Sequence, residues 1–264
     1  MSQDQSVYEN RDGFRVEIDA DRKRADIVLD RPPLNVVSMQ QREHFREVFQ
    51  ALGTDDRVRV IVIRSAGKNF SSGGDIRGFL ESTPEKVSHL ADNIKSAELC
   101  PKPVVAAIRG YCFGVGFELS LACDFRIVSD TAEMALPEQR IGMIPGSGGS
   151  IRLLHMIGMA RTKDIVMRSR RIPGQQAVDW GIALECVPDA ELEARVDAFV
   201  KELVAFSPLA QRTIKHVLNA AQDAPVHAGI EMEGQAYGRL RTSNDFAEGV
   251  ASFHEKRKPV WTGS

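Results

Sequence analysis

The chain has 264 residues, 43% hydrophobic and 27% charged, which fits a globular protein of one or two domains and rules out wholesale disorder. Its 34 basic and 36 acidic side chains leave a formal charge of −2, so it carries no large field for nucleic acid or anionic lipid. No apolar run approaches a membrane span, and the polar start MSQDQSVYEN is unlike a signal or transit peptide; the expectation is a cytoplasmic protein without nucleic-acid or membrane partners.

Phe14–Ile18 and Ala25–Leu29 alternate apolar with polar residues, with a turn-like DADRK stretch between them, and predict two strands. Met39–Leu52 has helical periodicity, with Phe45, Val48, Phe49 and Leu52 on one face. Val58–Ile63 is a β-branched run suited to a buried strand. Glu85–Leu99 predicts a helix that ends before Pro101, and Val104–Ile108 predicts a second buried strand. A short helix is expected over Gly116–Ala122 and a strand over Phe125–Val128, followed by a helix over Ser150–Ile157. Beyond about Asp189 the pattern turns helical, over Val196–Phe206, Pro208–Ala221, Gly229–Thr242 and Asp245–Lys258. Alternating strands and helices followed by helices alone predict an α/β core over residues 1–206 and a helical appendage over 207–264.

Cys100, Cys112, Cys123 and Cys186 form no CxxC pair and predict buried, reduced thiols rather than a zinc site or a disulfide framework. The six histidines show no metal-ligand spacing, so no metal is expected. Four segments could carry chemistry. Phe70–Ile76 places two glycines after a buried strand, where the backbone can turn sharply and present N–H groups; an ordinary left-handed turn with a helix cap explains them too. Gly110–Glu118 repeats the pattern, but Leu119 stands where a dinucleotide fingerprint has its third glycine. Glu118 falls in the first turn of an otherwise apolar helix, where it could simply complement the dipole. Pro137 stiffens the chain before Glu138, and a loop with Pro145 and three glycines follows. The basic tail Lys256–Lys258 could close a helix or meet a phosphorylated ligand, and Arg168, Arg170 and Arg171 form a basic patch that suits a solvated face. Taken together, Glu118 and Glu138 form a carboxylate pair for acid–base work, and the two glycine turns could each offer an N–H to an oxyanion.

The motifs RPPLN (Arg31–Asn35), NFSSGGDI (Asn69–Ile76), PKPVVAAIRGYCFGVGFELSLACDFRI (Pro101–Ile127), ALPEQRIGMIPGSGGSIRL (Ala135–Leu153) and FHEKRKPVW (Phe253–Trp261) occur in this order. In that combination the chain resembles the enoyl-CoA hydratase/isomerase (crotonase) superfamily, and most closely its two-glutamate hydratases. The resemblance implies a spiral of ββα units followed by helices that mediate trimerisation, in a homotrimer or a dimer of trimers. It implies an acyl-CoA thioester substrate, with coenzyme A part of the substrate and no separate cofactor. The thioester enolate would be held by the backbone N–H groups of Gly74 and Val115, and Glu118 and Glu138 would be the catalytic pair. Asp75, Ile76 and Arg77 would line the CoA side of the pocket, and Phe253 and Lys256 match tail positions that help hold CoA, in some relatives on a neighbouring subunit. The implied reaction is reversible hydration of a 2-enoyl-CoA, a lyase activity of fatty or aromatic acid degradation. Thioester hydrolysis on the same scaffold, double-bond isomerisation and a catalytically silent acyl-CoA- or protein-binding module stand as alternatives. Two segments depart from the pattern: Val115 replaces a common glycine but keeps its N–H, and Met167-Arg168-Ser169 stand where relatives often have Leu-Thr-Gly.

Overall fold

A computed structural model describes residues 5–9 and 11–264. After a 3-10 turn (Gln5–Tyr8) come strands β1 (Phe14–Asp19) and β2 (Arg24–Leu29), an antiparallel hairpin, then helix α1 (Met39–Thr54) and strand β3 (Val60–Ser65). Four short helices follow, α2 (Ile76–Leu80), α3 (Pro84–Ser88), α4 (Leu90–Ile94) and α5 (Ser96–Leu99). Next come β4 (Val104–Ile108), β5 (Tyr111–Phe113), α6 (Val115–Ala122), β6 (Phe125–Ser129) and β7 (Glu133–Ala135). The last part of the core holds α7 (Gly149–Arg168), β8 (Ile172–Pro173), α8 (Gly174–Asp179), β9 (Glu185–Val187) and α9 (Leu192–Val204). Helices α10 (Pro208–Ala221), α11 (Val226–Leu240) and α12 (Asn244–Glu255) complete the chain.

The strands form a six-stranded sheet in the order β1-β2-β3-β4-β6-β9, parallel from β2 onward, and a three-stranded sheet in the order β5-β7-β8. From β4 to β7 the chain alternates between them, and it then adds β8 to the small sheet before returning to the large one with β9. Successive side chains of β3 point to opposite faces. Ile61 and Ile63 join Val104, Ala106, Phe45 and Phe117 in the main core, whereas Val60 and Val62 meet Leu192, Val196, Phe199 and Val200 of α9. Burial on both faces is why β3 and β4 read as continuous apolar runs. Helix α1 is held at its start by the Ser38 hydroxyl, which accepts from the Gln41 amide at 3.0 Å. Its apolar stripe packs inward, with Phe45 stacked on Phe14 at 4.8 Å between ring centroids.

Several boundaries differ from the sequence expectations. Strand β3 begins at Val60 rather than Val58, because the Val58 amide is turned back onto Asp55 O while its side chain is buried. The helix expected over residues 85–99 is three pieces, broken where His89 leaves helical geometry (φ −103°, ψ 12°) and again at Lys95. The helix expected over Ser150–Ile157 does stop at Gly158 (φ 75°, ψ 172°), but a second helical stretch that the sequence reading did not include continues to Arg168.

Arg126 ties β6 to the end of α6. Its buried guanidinium donates to Ile182 O at 2.5 Å, Ser120 O at 2.8 Å and Cys123 O at 2.7 Å. Arg126→Met would leave three carbonyls without a charged donor, and we expect a loss of about 3 kcal/mol or more in stability, measured by urea unfolding. A loss below about 0.5 kcal/mol would contradict this account of how α6 is anchored.

Candidate active site

Two glycine turns meet at the edge of the small sheet. The Ser71 amide donates to Tyr111 O at 2.8 Å and the Phe113 amide to Ser71 O at 2.9 Å, which sets residues 71–75 beside residues 111–115. On the far side, the Val37 amide donates to Gly73 O and Val37 O accepts from the Asp75 amide, so the intervening Gly74 amide faces away from that strand. Val115 is the first residue of α6, where a helix leaves its N–H without an internal acceptor. Among the described residues neither the Gly74 nor the Val115 amide has an acceptor. Gly114 makes the approach possible: its φ is 52°, and a Cβ there would sit 3.0 Å from Glu138 Oε1 and 3.5 Å from Gly73 Cα.

Every residue of α6 is buried, and Glu118, at 2% exposure, lies one turn into it. Its Oε1 accepts two backbone N–H bonds, from Ser147 at 2.7 Å and Gly149 at 3.1 Å, which fix the carboxyl group in place. Gly149 has no side chain to spare: a Cβ there would lie 2.8 Å from Glu118 Cγ. Glu138 opens the short 3-10 turn Glu138–Ile141 after Pro137, and its Oε2 is buried without a hydrogen-bond partner among the described residues. Burial pushes its carboxyl up to about 7; nearby Glu118 adds to the rise, and its own backbone hydrogen bond and Arg42 oppose it.

Arg42 completes the cluster, and sequence reasoning did not single it out. It is 2% exposed, with Nη1 donating to Ser147 Oγ at 2.8 Å and its guanidinium 5.5 Å from the centre of the Phe79 ring. Ser147 thus links Arg42, through its hydroxyl, to Glu118, through its amide. Burial lowers Arg42 to about 10, against the pull of Glu118 and Glu138, so it remains a cation at neutral pH. One signal could have found it: Arg42 falls three and seven residues before Phe45 and Phe49, on the apolar face of α1.

The remaining candidates lie around or away from this cluster. Asp75 caps α2, accepting from the Arg77 amide at 3.1 Å, and Ile76 and Arg77 are exposed beside it. Phe253 and Lys256 end α12, where Lys256 takes a left-handed φ of 54°, and neither shares a hydrogen bond or ring contact with Gly74, Val115, Glu118 or Glu138. The basic patch is paired internally, Arg168 and Arg170 with Asp164 and Arg171 with Glu133 at 2.9 Å. Cys100, Cys112 and Cys123 are buried free thiols, and Cys186 is half-buried.

Residues 21–264 match the family model for enoyl-CoA hydratase/isomerase. A carnitinyl-CoA dehydratase from Escherichia coli K12 is 35% identical over 246 residues, covering 90% of this chain and 94% of the relative; one from Proteus mirabilis matches equally. Among solved structures, an enoyl-CoA hydratase from Bacillus anthracis superposes with a TM-score of 0.89 at 32% identity, over 96% of this chain and 100% of the other. An enoyl-CoA hydratase subunit from Geobacillus kaustophilus gives 0.90 at 30% identity, over 96% and 99%. The alternation of two sheets, the trailing helices and these matches agree: the chain has the crotonase fold and belongs to the enoyl-CoA hydratase/isomerase family.

Proposed function

We propose that the protein adds water reversibly to a 2-enoyl-CoA, forming a 3-hydroxyacyl-CoA. The observation that carries this reading is the placement of two glutamates, one firmly hydrogen-bonded and one with its carboxyl raised to about 7, beside two backbone N–H groups without acceptors. The thioester oxygen accepts from the Gly74 and Val115 amides, which stabilise the negative charge that builds on it as an enolate. Glu118, held by Ser147 and Gly149, orients water and takes its proton as the oxygen bonds to C3. Glu138, protonated, gives its proton to C2 as the double bond is lost. Proton exchange between the two carboxyls and solvent resets the site, and the reverse sequence removes water. The relatives named carnitinyl-CoA dehydratase support a reaction of this class, since dehydration is its reverse.

The CoA portion lies along Asp75, Ile76 and Arg77, with Phe253 and Lys256 of α12 completing its site from the same or a neighbouring protomer. Leu218, Val226, Ile230 and Tyr237 on α10 and α11 are exposed apolar side chains of the kind that a trimer would cover.

The test is product mass after incubation with 2-enoyl-, dienoyl- and oxoacyl-CoA thioesters. We expect an intact thioester heavier by one water. Free CoA together with a carboxylic acid would move the chemistry to the thioester carbonyl and overturn hydration in favour of hydrolysis.

A further inference from the structure

Arg42 is a buried cation without a contacting anion. Among the described residues no ion pair within 4 Å involves its guanidinium, whose one hydrogen bond is to an uncharged hydroxyl, Ser147 Oγ. Its Nε is buried with no acceptor, and Nη2 donates to no described residue. An arginine removed from water in this way is ordinarily paired, because an unpaired charge in the interior is costly. Phe79 offers a ring face, which is weaker than an anion and leaves the in-plane N–H groups free.

The place of those free donors is specific. A Cβ built on Gly74 would lie 3.3 Å from Arg42 Nη2, so the guanidinium stands against the residue whose amide receives the thioester oxygen. It is also close enough to Glu118 and Glu138 for both to act on its charge. A short acyl group held by Gly74 and passing between the glutamates therefore runs alongside Arg42, and an anionic oxygen on that group would meet the planar fork of N–H donors.

Resting on the hydration reading above, we propose that Arg42 is the acyl-specificity residue of this site, receiving a carboxylate carried by the acyl group a few bonds beyond the thioester. The substrate class is then the CoA thioesters of short dicarboxylic acids rather than of plain alkyl acids. A cationic acyl group, such as one ending in a quaternary ammonium, would be repelled.

Binding of saturated, unreactive thioesters tests this independently of turnover. Glutaryl-CoA and pentanoyl-CoA have five-carbon acyl groups that differ in ending in a carboxylate or a methyl. By calorimetry the protein is expected to bind glutaryl-CoA about 10- to 100-fold more tightly, the range of a charged hydrogen bond. R42M is expected to close that gap, and R42K, which keeps the charge but not the fork, to leave an intermediate preference. Equal affinity of the unaltered protein for the two thioesters would overturn the proposal, whether or not R42M folds. So would an R42M or R42K variant that folds and weakens both ligands alike. Failure of hydration with every 2-enoyl-CoA would overturn the reaction, and these affinities would still judge Arg42.

Discussion

Glu138→Gln is expected to lower kcat by about 10²–10⁴, the usual contribution of a positioned acid–base group, in a protein that folds normally. The same variant should be more stable than the parent in mildly alkaline solution. The Glu138 carboxyl is raised from 4.5 to about 7 in the folded state. Between those values the folded protein binds the proton and the unfolded chain does not, so stability falls as pH rises through this window. The shift corresponds to about 3 kcal/mol, present at low pH and lost above pH ~7. Glutamine cannot ionise and escapes that loss. Unfolding titrations near pH 8 and pH 4 should therefore show Glu138→Gln ahead at the first and level with the parent at the second. In the proposed reaction Glu138 gives its proton to C2, so kcat should decline above about pH 7, and the variant's residual rate should lack that limb. An active Glu138→Gln enzyme, or one with the parent's pH profile, would contradict the assignment.

Val115→Pro is expected to cost about 10²–10³ in kcat, the effect of deleting one oxyanion donor. The position allows an unusually clean deletion. Val115 opens α6, where proline is well accommodated because the first N–H of a helix bonds to nothing within it. Gly114, the preceding residue, has φ 52° and ψ −127°, the mirror image of the extended region that a residue before proline prefers, and only glycine adopts it freely. Val115→Ala keeps the N–H and should stay far nearer the parent. Comparison of kcat for the two, with thermal melts as the control for folding, separates loss of the donor from loss of packing. Equal rates for the two variants would remove Val115 from the mechanism.

Part of this site was legible in the sequence from the residues, and the rest came from the family resemblance. Glycines after a buried strand allow a sharp turn that an ordinary cap would also explain; the linked motifs singled out Gly74 and Val115, and in the structure neither amide has an acceptor among the described residues. Pro137 before Glu138 and an apolar helix around Glu118 marked both carboxylates as constrained. What escaped depends on contacts between distant segments. Arg42 belongs to α1 and meets Ser147, 105 residues away, so only the folded chain shows that Ser147 serves the arginine and the glutamate together. Burial also misled the boundary of β3, since the apolar side chain of Val58 is packed like a strand residue although its amide belongs to a turn. In α7 Gly158 marks a real break in dihedral angles, and beyond it a second helical stretch buries Thr162 and Ile165. The fragmentation of residues 84–99 into α3, α4 and α5 had no counterpart in a periodicity that looked continuous.

Water labelled with both oxygen-18 and deuterium follows the one water that Glu118 and Glu138 are proposed to add across a carbon–carbon double bond. We expect an intact CoA thioester with oxygen-18 on C3 and deuterium on C2, formed at a rate that falls steeply in Glu118→Gln and Glu138→Gln. Oxygen-18 in a free carboxylic acid released with CoA, or deuterium in an isomerised thioester that gained no oxygen, would contradict it.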